Sequence, residues 1–474
     1  MQRVLILGWM MAGLQVLAAG QNPPPQNAPA QSPGDSGSAD RTAPATALSA
    51  IAGMQIEGGA EDTSGELPQI PALLGGRGGS TAFLSELQRS NYLRGGVNVG
   101  AAYDDNPQLT SPSQGSNTSE SIFPSISIDE SSSRMRWTLG YAGGLTVNQL
   151  TVNQKFTSQN QGSHNLNFDS QFRLSPHVNL RVAENFSLTT GLFDSGNGTG
   201  VAGGAGGPNG SLITPLATQR STLTTVEMNY HFALNDLVGA SGSFYNLNFP
   251  DAGAQLTDSQ TASGSAFWLH RFFRRDWGGV SYRFDRINGD GETRAHSFMV
   301  VNTLNLSNHI TVTGFVGPQY SENQALVSNM LQPQSNNWSV AGGAEAGWQD
   351  QHTGLSAGYS RSVSDGGGLL GPVRLQNVHA SFRRELIPGW AAALTVTHGT
   401  NQALTPSSTA SSINLTSAGV SLERNVGKSV GFRLGYTHDF QEQLGAPGSS
   451  PTLDASRNRF FATLSYQWAK PLGM

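Results

Sequence analysis

Apolar and polar residues alternate along most of this chain, from residue 93 almost to its end. The stretch 459–468 shows the pattern clearly. Successive side chains of an extended strand point to opposite faces, so this stretch predicts a strand with one apolar and one polar face. The predicted apolar face consists of Phe460, Ala462, Leu464, Tyr466 and Trp468, and the polar face of Arg459, Thr463, Ser465 and Gln467.

The same period of two predicts about 18 strands, with about 16 as the alternative count, and bacterial outer membrane barrels have even strand numbers of this size. The predicted fold is therefore all-β, a transmembrane antiparallel up-and-down β-barrel over residues 93–474. The predicted strands are 93–103, 119–129, 134–148, 163–174, 177–190, 221–234, 237–249, 259–272, 277–287, 293–306, 309–321, 337–349, 353–363, 374–385, 389–399, 412–423, 430–440 and 457–468.

Short and long connections alternate between these strands. Barrels of this class have short turns on the periplasmic side and longer loops outside. Because a short turn follows every even strand, the pattern predicts that both termini lie in the periplasm. The predicted long connections are 104–118, 149–162, 191–220, 322–336, 364–373, 400–411 and 441–456, with shorter outer ones at 250–258 and 288–292.

Charged side chains fall on the polar face of the predicted strands. An Arg that faces lipid at the bilayer midplane costs roughly 2–4 kcal/mol, so we expect the polar face to line the lumen. The predicted pore-lining residues are Arg134, Arg136, Asn165, Asn167, Asp169, Arg173, Glu227, Asn229, His231, Arg283, Asp285 and Arg383.

Aromatic residues on the apolar face predict the two interfacial girdles of a membrane barrel. Trp338 and Trp348 share one face ten residues apart, which corresponds to about 25 Å of height in a tilted strand. The alternative is that Trp simply occupies ordinary strand positions. The predicted girdle residues are Trp137, Trp338, Trp348, Tyr466 and Trp468.

Composition agrees with a membrane barrel and argues against other classes. Only 12% of residues are charged, yet the mean hydropathy is −0.29, and apolar runs of transmembrane-helix length do not occur beyond the N-terminus. The net charge of −5, without a cluster of Lys or Arg, predicts no nucleic acid partner. Cysteine is absent, so disulfides, thiolate metal sites and N-terminal lipidation of Cys are excluded.

The N-terminal part divides into two segments. Residues 1–20 have a positive start, an apolar middle and a small-residue end, which predicts a signal peptide. Residues 21–92 are rich in Pro, Ala, Gly and Ser, which predicts a disordered periplasmic segment. Apolar spacing within 81–92 is compatible with a short helix or with a small plug.

Motifs for catalysis or cofactor binding do not occur in the sequence. The chain contains neither a nucleophile elbow, nor a His-Glu-x-x-His zinc motif, nor a phosphate loop. The strand histidines are scattered singly. We therefore predict no enzyme activity, no catalytic residues, no cofactor and no metal.

Three motifs near the start of the predicted barrel carry a family resemblance. They are AAYDDNP at 101–107, IFPSISI at 122–128 and RWTLGY at 136–141. Together they resemble the β-barrel porin type 2 family of bacterial outer membrane proteins. The resemblance implies an outer membrane barrel and, as an alternative function, a conduit or accessory for exopolysaccharide export. The last strand resembles the closing strand that the barrel assembly machinery recognises, although residues 469–474 follow its terminal Trp.

The predicted function follows from the strand count. Barrels of about 16–18 strands enclose an aqueous channel, and the Ser, Thr, Asn and Gln of the polar face favour small hydrophilic solutes. The Gly-rich connection 191–220 is a candidate constriction loop. The expected surroundings are outer membrane lipid and lipopolysaccharide. A second alternative is a non-conducting surface interaction protein whose lumen is plugged by residues 21–92.

Overall fold

The chain forms a closed antiparallel β-barrel of 18 strands in a computed structural model. The structure describes residues 91–472 apart from 108–112, 114, 153–154, 191–217, 251–255, 274, 290, 308, 328–329, 368–370, 405–411, 428 and 445–452. The predicted signal peptide, the segment 21–90 and the helix or plug up to residue 90 lie outside the described residues.

Every strand pairs with the strands before and after it in sequence, so the barrel is a simple meander. The strands are β1 (Tyr92–Asp104), β2 (Gly115–Ser131), β3 (Met135–Val152), β4 (Lys155–Ser175), β5 (Val178–Thr190), β6 (Thr218–Ala233), β7 (Asp236–Asn248), β8 (Ser259–Phe273), β9 (Asp276–Asn288), β10 (Gly291–Asn305), β11 (Ile310–Val327), β12 (Met330–Gln349), β13 (Thr353–Ser364), β14 (Val373–Ile387), β15 (Trp390–Ala403), β16 (Ser412–Val426), β17 (Val430–Leu444) and β18 (Leu453–Pro471).

The first and last strands close the barrel along their whole common length. The register runs from Tyr92 opposite Pro471 to Asp104 opposite Arg459, and the other edge of β1 pairs with β2. Residues 469–471, which follow the terminal Trp of the last predicted strand, continue β18 and pair with the first residues of β1. Closure leaves no free sheet edge, which is the condition for a sheet to cross lipid.

The predicted fold class and strand order are confirmed, but two predicted long connections are wrong. Residues 155–162 belong to β4, and residues 322–327 and 330–336 extend β11 and β12, so β3–β4 and β11–β12 join through 153–154 and 328–329. The sequence of these extensions contains unbroken polar runs, at 157–161 and at 334–336. They therefore lack the period-two signal, and antiparallel hydrogen bonding alone continues the strands.

The two ends of the barrel differ in their connections. At the short-turn end the strands join through brief turns such as 176–177, 234–235, 388–389 and 427–429. Gly389 and Gly427 have φ of 82° and 66° in these turns, a left-handed conformation that favours glycine. The opposite, long-loop end carries the longer connections 105–114, 191–217 and 445–452. Among the described residues, none forms a helix that could span a membrane.

Candidate functional site

The lumen is the candidate site, and alternating exposure separates its inner wall from the outer face. On β10, Val300 is 57% exposed and its neighbour Val301 is 1% exposed. On β6, Val226, Met228 and Phe232 are exposed whereas Thr225 is buried. Successive strand residues point to opposite faces, so the exposed apolar series faces outward and the buried, mostly polar series faces inward.

The outer face carries an apolar band that includes exposed aromatic residues. Trp338, near the middle of β12, and Trp348, near its end, both lie on the outer face of that strand, and Tyr466 and Trp468 are exposed on β18. Trp137 shares the outer face of β3 with the exposed Met135. An apolar outer band over a polar inner wall is the arrangement that a bilayer requires. The chain is a β-barrel of the bacterial outer membrane type.

The predicted pore-lining residues lie on the inner wall with one exception. Arg134 precedes β3 and lies exposed in the short turn, where its carbonyl oxygen accepts a hydrogen bond from the Arg173 N–H at 2.8 Å. Arg134 therefore lies just outside the strands of the wall, because β3 begins at Met135, and its role as a lumen residue stays a prediction. The inward series comprises Arg136, Asn165, Asn167, Asp169, Arg173, Glu227, Asn229, His231, Arg283, Asp285 and Arg383.

The densest charge network lies at the seam where β1, β17 and β18 meet. The Arg457 guanidinium donates to Asp439 Oδ2 at 2.7 Å from Nη2 and at 3.1 Å from Nε, and its Nη1 lies 3.8 Å from Asp104 Oδ2. Ser417 donates to the other Asp439 oxygen at 2.6 Å. Arg457 and Asp104 are almost fully buried, so this network joins the first strand to the last two through the inner wall.

A second network spans β4, β5 and β6. Arg181 donates to Asp169 Oδ2 at 2.6 Å from Nη2 and at 2.9 Å from Nε, and its Nη1 lies 3.7 Å from Glu227. One guanidinium thus contacts two carboxylates, one on each neighbouring strand. Asp169 and Glu227 were predicted as lumen residues, whereas Arg181 was missed although it occupies an inward strand position.

Other arginine side chains of the inner wall also pair with carboxylates. Arg283 contacts Asp285 at 2.8 Å on β9. Glu423 on β16 lies between Arg383 Nη2 at 2.9 Å and Arg433 Nε at 3.4 Å. Opposite charges therefore accompany each other around the wall, and the lumen presents no extended surface of one sign along these strands.

Glu345 and His379 form a more unusual pair in the wall. Their nearest atoms, Oε1 and Nε2, are 4.0 Å apart, and neither Glu345 oxygen has a hydrogen-bond partner within the part of the chain that the structure describes. Gly358 lies between them on β13. A Cβ atom there would stand 2.6 Å from His379 Cε1, so glycine lets the imidazole lie across the middle strand.

An apolar patch lines the inner wall near the short-turn end. The sequence analysis predicted a polar lumen and did not predict this patch. Consecutive apolar residues, such as Phe267, Trp268 and Leu269, break the alternation of apolar and polar residues there. This break was the sequence feature that could have predicted apolar side chains on the inner wall. Trp268 faces outward and its two neighbours face inward. The patch consists of Leu237, Phe267, Leu269, Trp277, Met299, Val301 and Phe315.

The connection after β13 reaches across the long-loop mouth of the lumen. Ser259 Oγ at the start of β8 donates to Asp365 Oδ2 at 3.0 Å, and Val363 packs with Ile287 and Ala295 of β9 and β10. Since β13 is not a neighbour of β8, β9 or β10, these contacts cross the barrel interior. Residues 363–367, the β13 tip, are buried and narrow the mouth.

The β13 tip was not recognised as an inward segment from the sequence. The sequence predicts an ordinary outer loop here, because Ser364 and Asp365 are followed by glycines. The contact with Ser259 depends on the closed barrel and has no local signal. The predicted constriction at 191–220 falls almost entirely outside the described residues and stays a prediction.

Comparison with known proteins gives only distant structural similarity. No family model and no curated protein matches the chain. OccK7 of Pseudomonas aeruginosa is 11% identical, with a TM-score of 0.43, over 81% of this chain and 100% of its own. OccAB3 of Acinetobacter baumannii is 10% identical, with a TM-score of 0.41, over 80% and 99%. OprD of Pseudomonas aeruginosa is 12% identical, with a TM-score of 0.39, over 80% and 96%. These similarities are too distant to assign a family or a solute, so the type 2 resemblance stays a prediction.

Proposed function

We propose that the barrel is an aqueous pore that passes small hydrophilic solutes of low net charge across the outer membrane. The balanced charge of the inner wall is the observation that carries this proposal. Arg181, Arg283 and Arg457 each contact a carboxylate on the same wall. A wall of paired charges attracts neither cations nor anions strongly, while its polar groups keep the lumen hydrated.

We propose that the long-loop end faces outward and that both termini lie in the periplasm. Short turns at one end and longer connections at the other support this orientation. The β13 tip then narrows the outer mouth, held there by Asp365 and Ser259. Solutes would enter past this tip and leave past the apolar patch near the short turns. The girdle role of Trp137, Trp338, Trp348, Tyr466 and Trp468 belongs to the same proposal.

Liposome swelling tests the solute class. Proteoliposomes with the purified barrel are diluted into isotonic solutions of neutral sugars of increasing size and of monovalent organic anions and cations. We expect swelling that declines with sugar size and differs little between anions and cations of matched size. Swelling for one sign of charge alone, or none with the smallest sugar, would contradict the proposal.

A further inference from the structure

Glu345 and His379 stand in one row of the inner wall, with Gly358 between them. Glu345 of β12 lies opposite Gly358 of β13, which lies opposite His379 of β14. The Glu345 side chain is 0% exposed and the His379 side chain is 8% exposed. Among the residues that the structure describes, neither Glu345 oxygen nor His379 Nε2 has a hydrogen-bond partner. The pair thus brings three buried polar atoms together without a hydrogen bond for any of them.

The other neighbours of Glu345 do not supply such a bond. Thr313, opposite Glu345 on β11, places its hydroxyl 3.3 Å from the Thr303 hydroxyl. On β12 itself, a neighbour on the same face is Gly343, and the Phe315 ring lies 2.8 Å from where a Cβ atom of that glycine would stand. The carboxyl group therefore lies between an aromatic ring and an imidazole. Burying a polar group without hydrogen bonds costs free energy, so this arrangement favours a group bound between the two side chains.

The distance between the two side chains decides which group fits between them. Glu345 Oε1 and His379 Nε2 are 4.0 Å apart. A direct hydrogen bond requires about 2.7–3.2 Å, and a bridging water holds its two partners about 4.5 Å apart. A Zn²⁺ ion lies about 2.0–2.2 Å from oxygen and nitrogen ligands, so it joins atoms about 3.3–4 Å apart. The gap therefore suits a metal ion better than a hydrogen bond or a water.

The two ligand types narrow the choice of ion. Mg²⁺ and Ca²⁺ prefer oxygen ligands, whereas imidazole suits Zn²⁺, Cu²⁺ and Ni²⁺. Gly358 has no side chain that would keep the imidazole of His379 away from Glu345, and a Cβ atom there would stand 2.6 Å from His379 Cε1. Because the ligands come from two separate strands, a zinc motif in the sequence could not have shown them.

We propose that Glu345 and His379 bind a divalent transition-metal ion of the Zn²⁺ type within the barrel wall. The ion joins β12 to β14 across β13. Within the described part of the chain no third His, Asp or Glu completes a larger group, so water takes the remaining positions, as at zinc sites that keep an open position. The site does not depend on the proposed pore function.

Unfolding of the detergent-purified barrel in denaturant, with and without Zn²⁺, tests the site. An ion that binds only the folded state raises its stability. We expect the unfolding midpoint to rise saturably with Zn²⁺ and to stay unchanged with Mg²⁺. Glu345→Gln and His379→Gln should each abolish the rise. His398→Gln is the matched control and should keep it, because His398 contacts Thr416 on the outer face. No saturable rise in the unmodified chain, or an equal rise in both ligand variants, would overturn the proposal.

Two further variants and a spectroscopic probe identify the site more closely. Combining Glu345→Gln with His379→Gln should lose no more Zn²⁺ stabilisation than either change alone, because both remove one site. Gly358→Ala keeps both ligands but displaces the imidazole, so the affinity should fall about tenfold. Heat-modifiable gel migration without metal checks folding. Co²⁺ probes the unmodified chain, and we expect a visible absorption band that Zn²⁺ abolishes. Additive losses in the double variant, or no saturable Co²⁺ band, would overturn the proposal.

Discussion

At the residue scale, the inner wall is held by charges that have little access to solvent. Arg457 lies between Asp439 and Asp104, which belong to β17 and β1, so one side chain links three consecutive strands at the closure. Its position on the polar face of the last strand was predictable from alternation. Its partners were not, because they lie far away in sequence and depend on the β1–β18 register.

Removing the Arg457 guanidinium should destabilise the barrel. Arg457→Ala removes the cation closest to the buried Asp439 and Asp104, and breaking a buried pair in this way costs about 3–5 kcal/mol. We expect the free energy of unfolding in denaturant titrations to fall by that amount. Arg286→Ala is the control, because its pair with Glu292 is much more exposed and contributes about 1 kcal/mol or less. Equal losses of unfolding free energy in the two variants would contradict a stabilising role for the charge network at the β1–β18 seam.

Ion selectivity should follow the balance of wall charges. Glu423→Gln removes the carboxylate that both Arg383 and Arg433 contact, so the wall gains net positive charge. We expect the reversal potential in a salt gradient to shift towards anion selectivity. Glu120→Gln, on the exposed outer face of β2, should leave the reversal potential unchanged. A shift of the same size in both variants would show that surface charge, and not the lumen, sets selectivity.

At the element scale, the strands were predictable because a bilayer imposes two unlike faces on each of them. The prediction failed where that constraint ends. Residues 155–161 and 330–336 pair with the neighbouring strand, the latter next to a register shift at Asn323/Gln324, but their sequence contains polar runs in place of alternation. The inward β13 tip is a similar case, because its contacts with Ser259, Ile287 and Ala295 arise only after the barrel has closed.

The β13 tip should limit the conductance of the pore. Combining Ser259→Ala with Asp365→Ala removes the hydrogen bond that crosses the mouth, although the Val363 packing remains. We expect a larger and noisier single-channel current. Ser263→Ala is the control, since it removes a hydroxyl from the same strand that contacts Asp285 instead of the tip. An unchanged current in the double variant would mean that the tip does not narrow the conducting path.

At the scale of the whole molecule, the closure of a sheet with two unlike faces connects the fold to the proposed function. A continuous antiparallel sheet closes on itself, and its two faces separate an apolar exterior from a polar, charge-balanced interior. Closure satisfies the backbone hydrogen bonds, so the outer face can meet lipid while the inner face keeps water. We expect the strand count to set the width of the proposed pore, and the β13 tip and the inner apolar patch to set its profile.

Current recording across a planar lipid bilayer tests the pore most directly. The protein is purified in detergent, its folded state is checked by heat-modifiable migration, and it is added to one side of the bilayer at neutral pH. We expect stepwise, ohmic current increments with a reversal potential close to zero in a salt gradient. A folded barrel that inserts without any current steps would contradict it.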